Sequence, residues 1–168
     1  MKNIDPVKLR KLIETNDKEL ISHSLCEVGD DIFYDRGVEA VPSALRTIVA
    51  VETFYGEVAN GGLTQYLSND HRAFAVYAVD ALEDVGLPVP AKVLRSALEL
   101  FPQEIKDSSE PDYFDYFETI DEEFGSDYLE KQVEREFWDW YNDGNMNEIR
   151  DRLHAWIIEN EARFTKEH

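Results

Sequence analysis

Carboxylates are the most abundant reactive groups of this chain, and they concentrate in one segment. Residues 104–143 contain fifteen Asp and Glu against three Lys and Arg, a net charge of −12 out of −19 for all 168 residues. Closely spaced carboxylates can coordinate a cation, transfer protons in hydrolysis, or pair with Lys and Arg side chains of a basic macromolecule. Because the net charge repels nucleic acid, anionic lipid and acidic substrates, it predicts a basic partner, no direct nucleic-acid binding and no membrane binding.

The spacing of the acids and histidines matches no metal-binding or catalytic motif. An EF-hand loop with Gly125 at its sixth position puts Ile120 at its first, and a loop with Gly144 at its sixth puts Arg150 at its twelfth; both fail. The histidines at positions 23, 71, 154 and 168 form no zinc motif, and no P-loop, GxSxG or GxGxxG is present. We therefore expect no metal, no cofactor and no catalytic residue.

Two amphipathic helices are predicted to hold the acids. Residues 111–125 have an apolar stripe of Tyr113, Phe117, Ile120 and Phe124, with acids on the opposite face. Residues 127–144 have an apolar side of Leu129, Val133, Phe137 and Trp140, with acids on both flanks. The candidate partner-binding residues are Asp107, Glu110, Asp112, Asp115, Glu118, Asp121, Glu122, Glu123, Asp127, Glu130 and Glu134.

The spacing of these acids approaches that of phosphates on duplex DNA. Acids three or four residues apart on a helix are separated by about 4.5 to 6 Å along its axis, and each DNA strand carries one phosphate per about 3.4 Å. One helix is too sparse, but two helices side by side would approach the phosphate density. Acidic surface helices commonly serve solubility alone. The concentration of charge on helices anchored by aromatic residues favours a binding face.

The rest of the chain is also predicted to be helical. Helices are expected over residues 5–14, 17–28, 42–60, 72–85 and 90–101, and no segment alternates with the period of a strand. We expect an all-α fold, a single compact domain of about eight helices over residues 1–168. The first residues lack a signal-peptide core, so we expect a cytoplasmic protein. The only cysteine, Cys26, lies among apolar residues and is expected to be a buried, inert thiol.

An uncharged corner, residues 58–69, resembles the signature of a known bacterial family. The sequences VETFYGEVANGGLTQYLSN and FAVYAVDALEDVGLPVPAKVLRSALELFP are similar to the family of DNA-mimic-protein-nineteen-like proteins, also catalogued as a domain of unknown function. The resemblance covers roughly residues 40–101. The matching residues are Glu57, Asn60, Gly61, Gly62, Gln65 and Tyr66. The resemblance implies a small helical protein whose negative surface imitates DNA and occupies the DNA-binding face of a transcription factor.

Three functional hypotheses follow. The first is a DNA mimic that binds a basic DNA-binding protein, such as a helix-turn-helix transcription factor, and blocks its binding to DNA. The second is an inhibitor or immunity protein that neutralises a basic toxin or nuclease with the same acids. The third is a hydrolase with a pocket near Asn60, Gln65 and Tyr66, which a deep pocket with a buried carboxylate would favour and a filled corner would oppose.

The corner and the C-terminal aromatic residues have structural interpretations as well. Gly61 and Gly62 are expected to supply positive φ angles where a helix ends, while Asn60 and Gln65 satisfy free backbone groups there. The aromatic residues Trp138, Trp140 and Tyr141 are candidates for the core or for a homodimer interface, with the core favoured for Trp140. A monomer and a homodimer both stay open.

Overall fold

The structure is a computed structural model that describes residues 4–108 and 111–165. All regular structure in these residues is helical, and eight helices have at least seven residues, so the predicted all-α domain of about eight helices is confirmed. The helices are α1 (Pro6–Glu14), α2 (Lys18–Arg36), α3 (Ser43–Ser68), α4 (Ala75–Val85), α5 (Pro88–Leu98), the short α6 (Gln103–Lys106), α7 (Phe114–Phe124), α8 (Arg135–Asn142) and α9 (Glu148–Glu159). No described helix is long and apolar enough to cross a membrane.

Side-chain caps fix the first two helix starts where the sequence predicts them. The Asp5 carboxylate accepts a hydrogen bond from the Val7 amide at 2.8 Å, and Pro6 follows in the first turn. Asp17 likewise accepts from the Leu20 amide at 3.0 Å. Both carboxylates satisfy amides that have no partner within the helix.

Helix α2 continues to Arg36, eight residues beyond its predicted end at residue 28. The apolar stripe runs on through the buried Ile32, and Gly29 does not end the helix because it lies at a close approach of α2 to α3. A Cβ atom at Gly29 would lie 2.4 Å from Cγ2 of Val49. The helix ends at Gly37, whose φ of +83° is strained for other residues.

Helix α3 is the centre of the fold. It packs against α2, α4, α7 and α9, and its residues Ile48, Val49, Val51, Phe54 and Val58 are fully buried. This burial removes a long apolar surface from water and is the main source of stability for the packing of the other helices. The uncharged corner forms the C-terminal part of this central helix.

Two further helix starts differ from the predictions. Residues Asp70–Phe74 form a 3₁₀ turn, so α4 begins at Ala75 and not at residue 72. Helix α5 begins at Pro88, two residues before the predicted start, because a proline is accommodated in the first turn of a helix.

Candidate partner-binding face and the adjoining cleft

Aromatic packing anchors α7, the first of the acid-bearing helices. Tyr113 and Ile120 are buried and Phe117 is half-buried, as the apolar stripe predicts. The rings of Tyr113 and Phe117 pack edge-on against Phe101, with centroids 4.8 and 6.0 Å apart. Phe124 departs from the prediction because its side chain is 45% exposed and packs on Tyr128 at the surface.

Four acids of α7 are exposed as predicted and have no ion pair or hydrogen bond from their side chains to another described residue. They are Asp115, Glu118, Glu122 and Glu123, and we call them the acidic face. Asp112, just before the helix, is also exposed, but its carboxylate accepts a hydrogen bond from the Phe114 amide at 3.1 Å. The acidic face is therefore rigidly supported and its charge is not neutralised within the described chain.

Other predicted partner-binding acids have partners within the protein. Asp107 accepts a hydrogen bond from the Gln103 side chain at 2.8 Å, and the half-buried Asp121 accepts from the Tyr128 amide at 3.3 Å. Asp127 forms an ion pair with Lys131 at 2.8 Å, and the hydrogen bond from Lys131 is the main cause that lowers the pKa of Asp127.

Of the three other candidate acids, Glu134 is treated below. Glu130 is exposed, whereas Glu110 lies outside the described residues. No described group of three or more His, Cys, Asp and Glu side chains is placed to hold a metal ion.

Glu134 is buried, so its predicted place on an exposed flank is wrong. Its side chain is 2% exposed. One carboxylate oxygen accepts a hydrogen bond from the Leu63 amide at 2.6 Å, and the other accepts from the indole N–H of Trp138 at 3.0 Å. Burial raises the pKa of Glu134, while these hydrogen bonds favour its charged form. Glu134 is thus unavailable to a partner in this conformation.

A π-helical turn explains why Glu134 points inward. Residues Leu129–Val133 form this turn, and the Glu134 amide donates to the Leu129 carbonyl at 2.9 Å, five residues back. The extra residue in the turn places Glu134 above the buried Leu129, where a regular α-helix would place Val133. Val133 is accordingly only half-buried. Projection of the sequence with a constant helical period cannot produce this rotation.

The Gly61–Gly62 corner is shaped around the Glu134 carboxylate. Gly62 has φ +76° and ψ −175°, which interrupts α3 and leaves the amide of Leu63 at the start of a second helical segment. A Cβ atom at Gly62 would lie 2.7 Å from each carboxylate oxygen of Glu134. The negative carboxylate sits at the positive end of this segment, where amides lack helical partners.

The sequence-based account of the corner is correct for Gly62 and wrong for Gly61, Asn60 and Gln65. Gly61 has φ −157° and ψ 22°, so it does not supply a positive φ. The free Leu63 amide is satisfied by Glu134, not by Asn60 or Gln65. A buried glutamate in an aromatic segment is a weak sequence signal, and nothing in its spacing connects it to residues 61–63.

The other motif residues serve the packing of the corner. Glu57 accepts hydrogen bonds from the side-chain amides of Gln65 and Asn69, both at 2.6 Å. Tyr66 is fully buried, its ring packs edge-on against Phe54 at 5.4 Å, and burial raises its pKa. These contacts join the two segments of α3 across the interruption at Gly62.

A cleft of about 520 Å³ lies between the corner and the acid-rich segment. It is lined by Asn60 and Gly62, by Asp121 of α7, and by Glu130 and Glu134 of the segment around the π turn. The two acid-bearing helices are therefore separated rather than packed side by side: α7 packs on α3, whereas α8 packs on α5 and the π turn. This arrangement corrects the expectation of two adjacent helices.

The cleft meets only part of the condition set for a hydrolase pocket. A buried carboxylate, that of Glu134, is present, but both of its oxygens already accept hydrogen bonds. Asn60 lines the cleft, whereas Gln65 is bonded to Glu57 and Tyr66 lies in the core. The three residues named for a hydrolase pocket do not converge on one ligand site.

Two remaining expectations concern Cys26 and the C-terminal aromatic residues. Cys26 is buried as predicted, and burial raises the pKa of its thiol, which suits an inert side chain. Trp140 and Tyr141 are half-buried and pack against the buried ring of Phe137, with centroids 6.0 and 5.6 Å away. Trp138 also packs against this ring, at 5.3 Å. The three aromatic residues thus border the core.

Comparison with known proteins places this geometry in a family. The family model described as DMP19-like protein matches residues 39–160. The chain belongs to the DMP19-like family. No curated protein and no solved structure matches the chain. The family is of the DNA-mimic type and is not a known enzyme family.

The matched region reaches well beyond the resemblance seen in residues 40–101. It contains α7 with its acidic face, the π turn, α8 and the whole of α9. Gly62 and its partner Glu134 both lie inside it. The family match therefore covers the acid-bearing segment of this chain as well as the corner.

Proposed function

We propose that this DMP19-like protein is a DNA mimic whose acidic face occupies the DNA-binding surface of a basic protein, such as a helix-turn-helix transcription factor, and blocks its binding to DNA. The observation that carries the proposal is the set of four exposed carboxylates on α7, which pair with no residue in the described part of the chain. They take the places of phosphates and pair with Lys and Arg of the partner. The protein acts in the cytoplasm, and a monomer or a homodimer presents the face.

These four acids have no partner among the residues that the structure describes, which supports a role in binding. A carboxylate held in an ion pair must lose that pair before it can bind another cation, whereas Asp115, Glu118 and Glu122 are bonded to no described side chain. Their electrostatic attraction is available to steer a basic partner toward α7. Because exposed charges are screened within about 8 Å at physiological ionic strength, binding weakens steeply with added salt.

The rigidity of α7 supports the proposal in a second way. Its rings pack on the buried Phe101, so the acidic face is held in place before binding. Successive acids at Asp115, Glu118 and Glu122 are spaced by about 4.5 and 6 Å along the helix axis. A face that is already ordered loses little conformational entropy when a partner binds.

Matched charge variants test the location of the face. The first variant combines Asp115→Asn, Glu118→Gln and Glu122→Gln; the control combines Glu14→Gln, Glu27→Gln and Glu159→Gln, exposed acids of α1, α2 and α9. Both change the net charge from −19 to −16.

Immobilised wild-type protein captures partners from an extract, and the Kd of each purified partner is then measured by calorimetry. We expect the α7 variant to bind a captured DNA-binding protein roughly 10-fold more weakly, as three exposed ion pairs of up to about 1 kcal/mol each allow, and the control to bind almost as well as wild type. Equal losses in both variants would show that net charge alone drives binding and would contradict the proposal. Capture of a basic nuclease in place of a DNA-binding regulator would instead support an inhibitor.

A further inference from the structure

The acidic face carries an exposed aromatic ring at its N-terminal end. The Phe114 side chain is 66% exposed, more than any other large hydrophobic residue that the structure describes. Glu118 lies one turn away on the same side of α7, and Asp115 is the next residue. A surface that imitated only a row of phosphates would gain nothing from an apolar ring at this position.

Packing against other aromatic rings holds the Phe114 ring in place. It packs edge-on against Phe117 with centroids 6.0 Å apart, and Phe117 packs in turn against the buried Phe101. In addition, the Asp112 carboxylate accepts a hydrogen bond from the Phe114 amide. The ring is therefore an ordered part of the surface, and a partner does not have to immobilise it.

The protein covers other aromatic rings with its own arginines. Within the described residues, the guanidinium groups of Arg46, Arg150 and Arg163 lie over rings at 4.4, 5.8 and 5.2 Å from the centroids. The rings that they cover are those of Tyr77, Tyr55 and Trp156. No described cation covers Phe114, although carboxylates lie beside it. The Phe114 ring and its neighbouring acids thus form the aromatic and anionic parts of a cation-binding arrangement, and the described residues supply no cation to it.

We infer that the protein partner inserts an arginine, rather than a lysine, at this point, with its guanidinium stacked on the Phe114 ring and hydrogen-bonded to Glu118 or Asp115. The inference rests on the proposed function, since it specifies which cation meets the acidic face. A planar guanidinium stacks on an aromatic face and still presents N–H groups to a carboxylate, whereas an ammonium is more strongly hydrated. Charge complementarity and the ring together select an arginine-bearing protein surface.

Two peptides of equal length, one of arginine only and one of lysine only, serve as probes. Their Kd values are measured by calorimetry on wild type, on Phe114→Leu, and on the control Tyr34→Leu, which removes a ring that is 62% exposed on α2. We expect Phe114→Leu to weaken the arginine peptide by about 3- to 10-fold and to leave the lysine peptide almost unchanged. Tyr34→Leu should change neither Kd.

Nuclear magnetic resonance supplies a second readout that needs no variant. Arginine side-chain protons of the bound peptide should shift upfield by the ring current and show contacts to the labelled Phe114 ring in wild type. Equal weakening of both peptides by Phe114→Leu, no weakening of the arginine peptide, or no such contacts would overturn the inference.

The variant of Asp115, Glu118 and Glu122 separates this outcome from failure of the proposed function. If that variant weakens both peptides more than the matched control of Glu14, Glu27 and Glu159 does, the acidic face binds cations and a negative result at Phe114 counts against the arginine alone. If the two charge variants weaken the peptides equally, the acidic face itself is contradicted.

Discussion

Replacing Gly62 with alanine should destabilise the protein much more than replacing Gly37, although the two glycines have nearly the same backbone conformation. Gly62 has φ +76° and ψ −175°, and Gly37 has φ +83° and ψ 170°. Both conformations are almost restricted to glycine, and another residue there costs of order 1–3 kcal/mol in strain. Gly37→Ala therefore measures the strain alone, because its Cβ would meet nothing within 4 Å.

Gly62→Ala adds the displacement of a buried carboxylate. The new Cβ would lie 2.7 Å from each oxygen of Glu134 and 3.0 Å from its carboxyl carbon, so Glu134 must shift. The shift would lengthen the hydrogen bonds from the Leu63 amide and the Trp138 indole, now 2.6 and 3.0 Å. Because a hydrogen bond to a charged group contributes about 1.5–3 kcal/mol, we expect Gly62→Ala to cost about 2–3 kcal/mol more than Gly37→Ala.

Urea unfolding followed by far-ultraviolet circular dichroism measures this difference, and tryptophan fluorescence, to which Trp138 contributes with Trp140 and Trp156, is a second probe. In a Glu134→Ala background the clash is gone. The loss of unfolding free energy caused by Gly62→Ala should then equal the loss caused by Gly37→Ala. Equal destabilisation by the two glycine substitutions in the wild-type background would refute the claim that Gly62 is required by the approach of Glu134.

Two further predictions concern the corner. Burial raises the pKa of Glu134 above its ordinary value of 4.5, so the charged form of this side chain is disfavoured in the folded state. As the pH rises from 4.5 through the raised pKa, wild type should therefore lose unfolding free energy relative to Glu134→Gln. Urea unfolding of both proteins between about pH 4 and 8 tests this, and a relative gain by wild type with rising pH would contradict it. Glu57→Ala should destabilise the protein by about 2 kcal/mol, because the Gln65 and Asn69 amides lose their shared acceptor. The control is Glu14→Ala, at an exposed acid; a thermal unfolding midpoint of Glu57→Ala no lower than that of the control would be inconsistent with that role.

Local signals in the sequence predict much of the fold. The caps at Asp5 and Asp17 and the apolar stripe of α7 depend on neighbours within one or two turns, and the structure has them as predicted except for the exposed Phe124. The predicted end of α2, at residue 28, is eight residues too early. The helix continues through Gly29, a residue type that often ends helices. Gly29 lies inside a helix–helix contact, and only the position of α3 reveals that role.

In the candidate site, too, features set by local sequence were predictable and features set by distant residues were not. The exposure of Asp115, Glu118 and Glu122 follows from the helical period, and the structure confirms it. The burial of Glu134 depends on a π turn and on an amide 71 residues away in the chain, and neither leaves a periodic signal. The interruption at Gly62 was predictable from its glycine, but the carboxylate that occupies the gap was not.

The central claim is that the acidic face competes with DNA for one surface of the partner. Fluorescence anisotropy tests it directly: a labelled operator bound to a captured DNA-binding protein is titrated with wild-type protein, with the Asp115, Glu118 and Glu122 variant, and with the matched control at equal net charge. The account predicts full displacement of DNA by wild type and by the control, roughly 10-fold weaker displacement by the α7 variant, and steep weakening with added salt. A ternary complex that retains the DNA, or displacement unaffected by the α7 substitutions, would contradict it.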